Sequence, residues 1–128
     1  MIHDLLPAPI QHIIKNEKLK ISYLNLVNVH WFLYKKHIWI NKNLNIYKIR
    51  FAIAHEIGHY MNWDSFSIPF FNKISERNAD NFAITVLLPE DKLLEEYENH
   101  WGDLNILEKV FWVEMNIIEK RLKQIFQN

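Results

Sequence analysis

The stretch RFAIAHEIGHYMN, residues 50–62, places two histidines four positions apart, with a glutamate directly after the first. Apolar residues fill most other positions at helical spacing, so the stretch predicts a helix. On that helix His55 and His59 lie one turn apart on the same face, where they could bind one metal ion. Glu56 is rotated by about 100° from His55, which keeps it out of direct coordination but within reach of a water molecule at the metal.

A second predicted helix downstream carries two more groups that suit a metal site. The segment SERNADNFAITVLLP places Glu76 and Asp80 one turn apart on the same face. Zinc chemistry of this type needs a third protein ligand, for which Glu76 is the candidate. Asp80 could accept the ring N–H of His55 or His59 and so fix the tautomer of that histidine.

Both helices also have a simpler interpretation. The first could be a buried amphipathic helix whose two histidines are merely hydrogen-bonded. In the second, Glu76 and Asp80 could form a solvated face with Lys73 and Arg77 as i,i+3 or i,i+4 partners. The occurrence of both motifs in one chain favours the metal site. Any such site uses His, Asp or Glu, because the chain has no cysteine.

Length, composition and charge limit the classes of protein to consider. The 128 residues fit one domain, residues 1–128, and 49% hydrophobic residues argue against disorder. Fifteen basic and fifteen acidic residues give no electrostatic reason to expect a nucleic-acid or membrane-surface partner. The N-terminal MIHDLLPAPI lacks a basic region and a long apolar run, so we expect a cytoplasmic protein.

The pattern along the chain predicts an α+β fold. The segments ISYLNLVN, VHWFLYKK and HIWIN are rich in β-branched and aromatic residues and predict two or three short strands, expected to be antiparallel. WDSFSIPFFNK, residues 63–73, predicts a loop. Predicted helices start near Pro9, run from about Asn45 to Asn62 and from about Ile74 to Leu88, cover residues 89–101, and fill residues 103–127 with a break near Trp112 to Glu114.

Gly58 lies inside the motif helix, where glycine costs roughly 1 kcal/mol relative to alanine. Because the chain has only two glycines, this position predicts a strand or a substrate that passes too close for a Cβ atom.

The two central motifs resemble those of a known family. RFAIAHEIGHYMN followed by ERNADNFAITVLLPE is similar to the paired motifs of the ImmA/IrrE family of small metallopeptidases. IWINKNLN and LEKVFWVEMNIIEKRLKQI resemble further family segments, so the similarity extends from about Ile21 to Ile125. At residues Val113 and Glu114 the family has Val-Ser, so the chain departs from it at Glu114, and this departure affects expectations about substrate contacts.

The resemblance implies a zincin-like domain in which a small antiparallel sheet packs on the metal-ligand helix and further helices follow. The family's zinc ligands fall on His55, His59 and Glu76, its general base falls on Glu56, and the Glu-xxx-Asp spacing places Asp80 as the partner of a ligand. One divalent metal is implied, zinc first, although the same donors accept manganese. A second donor opposite the metal is expected; the candidates are His30, Tyr60, Tyr97 and His100, and none is assigned.

By resemblance, the function is site-specific cleavage of a protein, a helix-turn-helix repressor or similar regulator of a mobile genetic element or operon. Two alternatives remain open. One is a metal-bound, non-catalytic interaction module that acts as an antirepressor or as a toxin or antitoxin partner. The other is a DNA-binding regulator that uses the C-terminal helices. The intact Glu56 favours the enzyme, since binding alone requires no base there.

Overall fold

The computed structural model describes residues 2–26, 29–62, 66–67 and 73–127. In chain order these residues form a 3-10 helix Ile2–Leu5, α1 Ala8–Glu17, β1 Lys20–Leu24, β2 Trp31–Tyr34, β3 His37–Asn41, α2 Ile46–Met61, β4 Phe66–Ser67, α3 Lys73–Leu87, α4 Glu90–Asn99, α5 Leu104–Phe111 and α6 Met115–Phe126. The predicted α+β class is confirmed, and the predicted helices differ from the observed ones by one or two residues at their ends.

The sheet is mixed, with strand order β1-β3-β2-β4. The prediction of antiparallel pairing is right for β2 with β3, but it is wrong for β1, which runs parallel to β3. The fourth strand, β4, was not predicted and pairs antiparallel with β2. β2 occupies one edge of β3, so β1 pairs along the other edge of β3. β1 and β2 follow each other in the sequence but lie on opposite sides of β3, so the chain crosses over between them.

The segment predicted as a loop, residues 63–73, is only partly described. Phe66–Ser67 forms β4 and pairs with β2, so the loop prediction is wrong there. Lys73 belongs to α3, which also shortens the predicted loop. Residues 63–65 and 68–72 lie outside the described residues.

Helix α2 is the centre of the fold. Every residue from Ala52 to His59 is buried, which is typical of a helix enclosed on all sides. One side packs on the sheet, where Leu33, Ile38 and Ile40 are fully buried, and another side packs on α3. The polar residues of the motif therefore lie inside the protein, where each needs a partner.

The contact between α2 and α3 passes through Gly58. A Cβ atom at this position would lie 3.0 Å from Ala79 Cα, 3.1 Å from the Ala79 carbonyl oxygen and 3.1 Å from Phe82 Cβ. The predicted close approach is confirmed, but the neighbour is the backbone of helix α3 and not the strand or substrate that was predicted. This approach brings α3 near enough to share a site with the histidines of α2.

Arg50 connects α2 to two distant parts of the chain. Its Nε donates to the Leu5 carbonyl at 2.7 Å, and its Nη1 donates to the carbonyls of Phe111 at 2.7 Å and Trp112 at 2.6 Å. The last two carbonyls lie at the C-terminal end of α5, where carbonyl groups have no N–H donor within their own helix. Arg50 thereby fixes the turn between α5 and α6 against the central helix.

Candidate metal centre

Three potential ligands meet where α2 faces α3. His55 Nε2 lies 2.8 Å from Glu76 Oε2, and His59 Nε2 lies 3.4 Å from Glu76 Oε1. One ligand atom from each residue lies within 4.8 Å of the other two. Ligands at about 2.0–2.1 Å from a tetrahedral zinc ion are roughly 3.3 Å apart, so this trio fits one ion after small adjustments.

Each histidine is oriented by a hydrogen bond to its other ring nitrogen. His55 Nδ1 lies 2.7 Å from Asp80 Oδ1, and His59 Nδ1 lies 3.1 Å from Ser75 Oγ. With each Nδ1 engaged in this way, Nε2 is the ring nitrogen that faces Glu76, and a metal ion would take the place of its proton. Asp80 was expected to serve one histidine or the other, and the structure places it on His55.

Ser75 was missed from the sequence, although a signal for it exists. Contacts run in opposite order along the two helices, with His55 beside Asp80 and His59 beside Ser75. If the first histidine of HExxH contacts a residue late in the second motif, the second histidine should contact one early in it. Ser75, next to Glu76, is the residue with a hydroxyl at that place.

The protonation of the trio reflects its mutual contacts. Burial lowers the pKa of His55, but hydrogen bonds to Asp80 and Glu76 and the charge of Glu56 outweigh it and raise that pKa to about 9. For Glu76, burial raises the pKa, and the hydrogen bond and charge of His55 outweigh it, so the pKa lies below its usual value. Three carboxylates, of Asp80, Glu76 and Glu56, thus favour a cation at His55, which is the electrostatic setting that a metal ion needs.

Glu56 lies beside the trio. It is only 1% exposed, and its Oε1 is 3.9 Å from His55 Nε2. This distance is too long for a hydrogen bond, but a water molecule to one side of the two atoms is within reach of both. The arrangement can serve acid–base chemistry at a water molecule next to the trio.

A cleft of about 400 Å³ opens beside the trio. Its lining residues are Trp31, His55, Lys73, Glu76, Arg77, Asp80 and Lys120. The side chains of Glu76 and Asp80 are 22% and 35% exposed, and their ion-pair partners are histidines. The alternative of a solvated face paired with lysine and arginine therefore does not describe these two carboxylates.

None of the four candidates for a second donor is among the described residues that line this cleft. These candidates are His30, Tyr60, Tyr97 and His100. Tyr60 donates instead to Glu17 at 2.7 Å. His30 contacts Trp31, with ring centroids 5.9 Å apart, and Trp31 does line the cleft. The structure therefore supports none of these four residues as the second hydrogen-bond donor at the trio.

The α+β fold, with a HExxH helix facing a glutamate on the next helix, is typical of metallopeptidases. The family model of the IrrE N-terminal-like domain, peptidase family M78, matches residues 12–123. The chain belongs to this family, and the resemblance to ImmA/IrrE proteins is confirmed. No curated protein matches the chain significantly. Family membership supports a metallopeptidase type of function with a protein substrate.

One further finding concerns membranes. None of the helices in the described ranges is both long and apolar enough to cross a bilayer.

Proposed function

We propose that the chain is a zinc-dependent, site-specific endopeptidase of the cytoplasm, formed by one domain over residues 1–128. Its substrate is a helix-turn-helix repressor or similar regulator of a mobile genetic element or operon. The observation that carries the proposal is Glu56, a carboxylate buried beside three potential metal ligands. Burying a carboxylate costs free energy, and a module that only binds a partner has no use for it there.

In this proposal His55, His59 and Glu76 hold one divalent ion, zinc first, with manganese accepted by the same donors. When bound, the ion would polarise the scissile carbonyl and activate a water molecule. Asp80 and Ser75 keep the Nε2 atoms of the two histidines directed at Glu76. They thereby maintain the ligand geometry between turnovers.

Glu56 moves the protons. Its carboxylate takes a proton from the attacking water and passes it to the amine that leaves as the peptide bond breaks. Because the side chain is 1% exposed, the proton it holds is shielded from bulk water during this transfer. Trp31 and the cleft it lines supply the surface on which a substrate segment can lie.

The metal-binding part of the proposal is tested by metal analysis. The purified protein should hold about one ion per chain, and Glu76→Ala should lower the occupancy sharply. Full occupancy of that variant would remove Glu76 from the ligand set and make Asp80 the candidate to replace it.

The catalytic part is tested with the metal-loaded protein and the repressor encoded in the same operon. Glu56→Gln keeps the shape of the side chain but cannot take a proton, so cleavage should fall by at least about 100-fold while metal content stays unchanged. The variant should still bind the repressor as a complex that a pull-down recovers. Glu96→Gln, a matched change at a residue paired with His100, should cleave normally.

Control of the repressor in cells separates the proposal from the non-catalytic interaction module. A Glu56→Gln protein that still relieves repression normally would contradict hydrolysis and favour that module.

A further inference from the structure

In the part of the chain that the structure describes, three cationic side chains border the cleft beside the trio: Lys73, Arg77 and Lys120, which we call the cationic rim. All three residues are exposed. Among the ion pairs between described residues, none involves a member of the rim. The rim therefore presents positive charge to whatever enters the cleft.

The carboxylates of the cleft do not neutralise the rim. Glu76 contacts His55 and His59, and Asp80 contacts His55. Each carboxylate thus has a partner inside the trio. Among the described residues, the lining holds three lysine or arginine side chains against two carboxylates, and a divalent ion at the trio would add to this positive excess.

The rim is held in place by two helices. Lys73 and Arg77 are one turn apart on α3, on the same face as Glu76 and Asp80. Lys120 comes from α6, which is joined to the α3 region by the hydrogen bond of Arg121 Nε to the Leu88 carbonyl at 2.9 Å. Gln124 also bonds to Asn81 at 3.2 Å. The cationic groups consequently approach the cleft from two sides.

We infer that the cleft selects protein segments with an aspartate or glutamate side chain next to the scissile bond. This specificity rests on the proposed function and adds to it the type of side chain that the substrate must carry. The rim shares the cleft with His55 and Glu76, so a carboxylate bound by the rim belongs to a residue adjacent to the reacting carbonyl. Trp31 gives the apolar part of the same side chain a surface to contact.

The probes are two matched pairs of short peptide hydroxamates, whose hydroxamate group binds the metal without being cleaved. One pair extends to the N-terminal side of that group and the other to its C-terminal side. Within a pair, the residue next to the hydroxamate is either glutamate or glutamine, and all other groups are uncharged. Calorimetry on the zinc-loaded protein measures the affinity of each probe.

In at least one pair the glutamate probe should bind about five- to tenfold more tightly than the glutamine probe, since contacts to exposed cations are individually weak but act together. Raising the ionic strength from about 20 mM to 500 mM should erase most of this preference. Lys120→Glu, which lies outside the ligand helices, should reduce the preference to about twofold or less. The loss of affinity should be several-fold larger for the glutamate probe than for the glutamine probe.

Lys109→Glu is the matched control, because it makes the same change in net charge at an exposed position on α5. It should leave the preference intact. Equal binding of the glutamate and glutamine probes in both pairs would overturn the inference alone, and so would a preference that survives reversal of every rim charge. Failure of all four probes to bind a protein that holds its metal would overturn the proposed active site as well.

Discussion

At the trio, two hydrogen bonds determine which nitrogen each histidine can offer to a metal. Asp80 is charged and Ser75 is neutral, so the two bonds should differ in strength. We expect Asp80→Ala to weaken zinc binding by about 10–100-fold and Ser75→Ala to weaken it less. Competition with a chelator measures both affinities, and circular dichroism checks that the fold persists. An unchanged affinity for Asp80→Ala would return this carboxylate to a purely solvated role.

The pKa of His55 predicts that the stability of the metal-free protein and the stabilisation added by zinc change in opposite directions with pH. Its folded pKa of about 9 lies above the ordinary 6.5. The stability that protonated His55 contributes to the folded protein is therefore complete below pH 6.5 and is lost as the pH rises through 9. The loss is on the order of 3 kcal/mol. The lowered pKa of Glu76 affects stability only at acidic pH. The stability that ionised Glu76 contributes to the folded protein is present above the ordinary pKa of 4.5 and is lost as the pH falls through the lowered folded value.

The melting temperature of the metal-free protein in chelator should therefore fall between pH 6.5 and 9. In excess zinc the stabilisation over the metal-free state should grow across the same range, because the ion competes with the proton of His55. Scanning fluorimetry at several pH values measures both curves. A metal-free melting temperature that does not change with pH would contradict the ion pair of His55 with Glu76 and Asp80.

The packing of α2 on α3 leads to a prediction for Gly58→Ala. Alanine favours the helix by roughly 1 kcal/mol, but its Cβ would press on the backbone of Ala79 at 3.0 Å, and backbone atoms yield less than side chains. We expect a net loss of about 1–3 kcal/mol in unfolding free energy and weaker zinc binding, because Glu76 moves with α3. Denaturant titration and chelator competition measure the two effects.

Met61→Ala, at an exposed position of the same helix, serves as the control and should leave zinc binding unchanged. A Gly58→Ala protein that is more stable and binds zinc normally would show that α3 can shift without disturbing the site.

The elements differ in how far the sequence could predict them. The helices followed from apolar spacing and from Pro89, because both are local features of the chain. The pairing of β1 with β3 did not, since alternation within a strand shows which side chains face the core but not which strand lies beside it. Likewise, the pattern brought His55, His59 and Glu76 into one hypothesis, but the rim was missed because Lys120 meets α3 only through tertiary packing.

Across the whole molecule, the site depends on a central helix that is also hydrogen-bonded to Leu5 near the N-terminus and to the end of α5. The trio and Glu56 lie on or against α2, and Arg50 lies on the same helix, five residues before His55. The core that encloses α2 includes residues from α1, the sheet and α4 to α6. A change at Arg50 should consequently affect global stability without entering the site.

Arg50→Met tests this connection. Methionine fills similar space, but it leaves the carbonyls of Leu5, Phe111 and Trp112 without the donors they now have from Arg50. Burial lowers the pKa of Arg50, and the same burial makes these charge-assisted bonds difficult for water to replace. We expect a loss of about 3 kcal/mol in unfolding free energy, with hydrogen exchange rising most in α5 and α6. Zinc affinity should stay near its original value, because the α2–α3 contact is preserved.

Arg50→Lys, which keeps the charge but not the fork of donors, should lose less stability. An Arg50→Met protein of unchanged stability would mean that the turn between α5 and α6 is held by apolar packing alone.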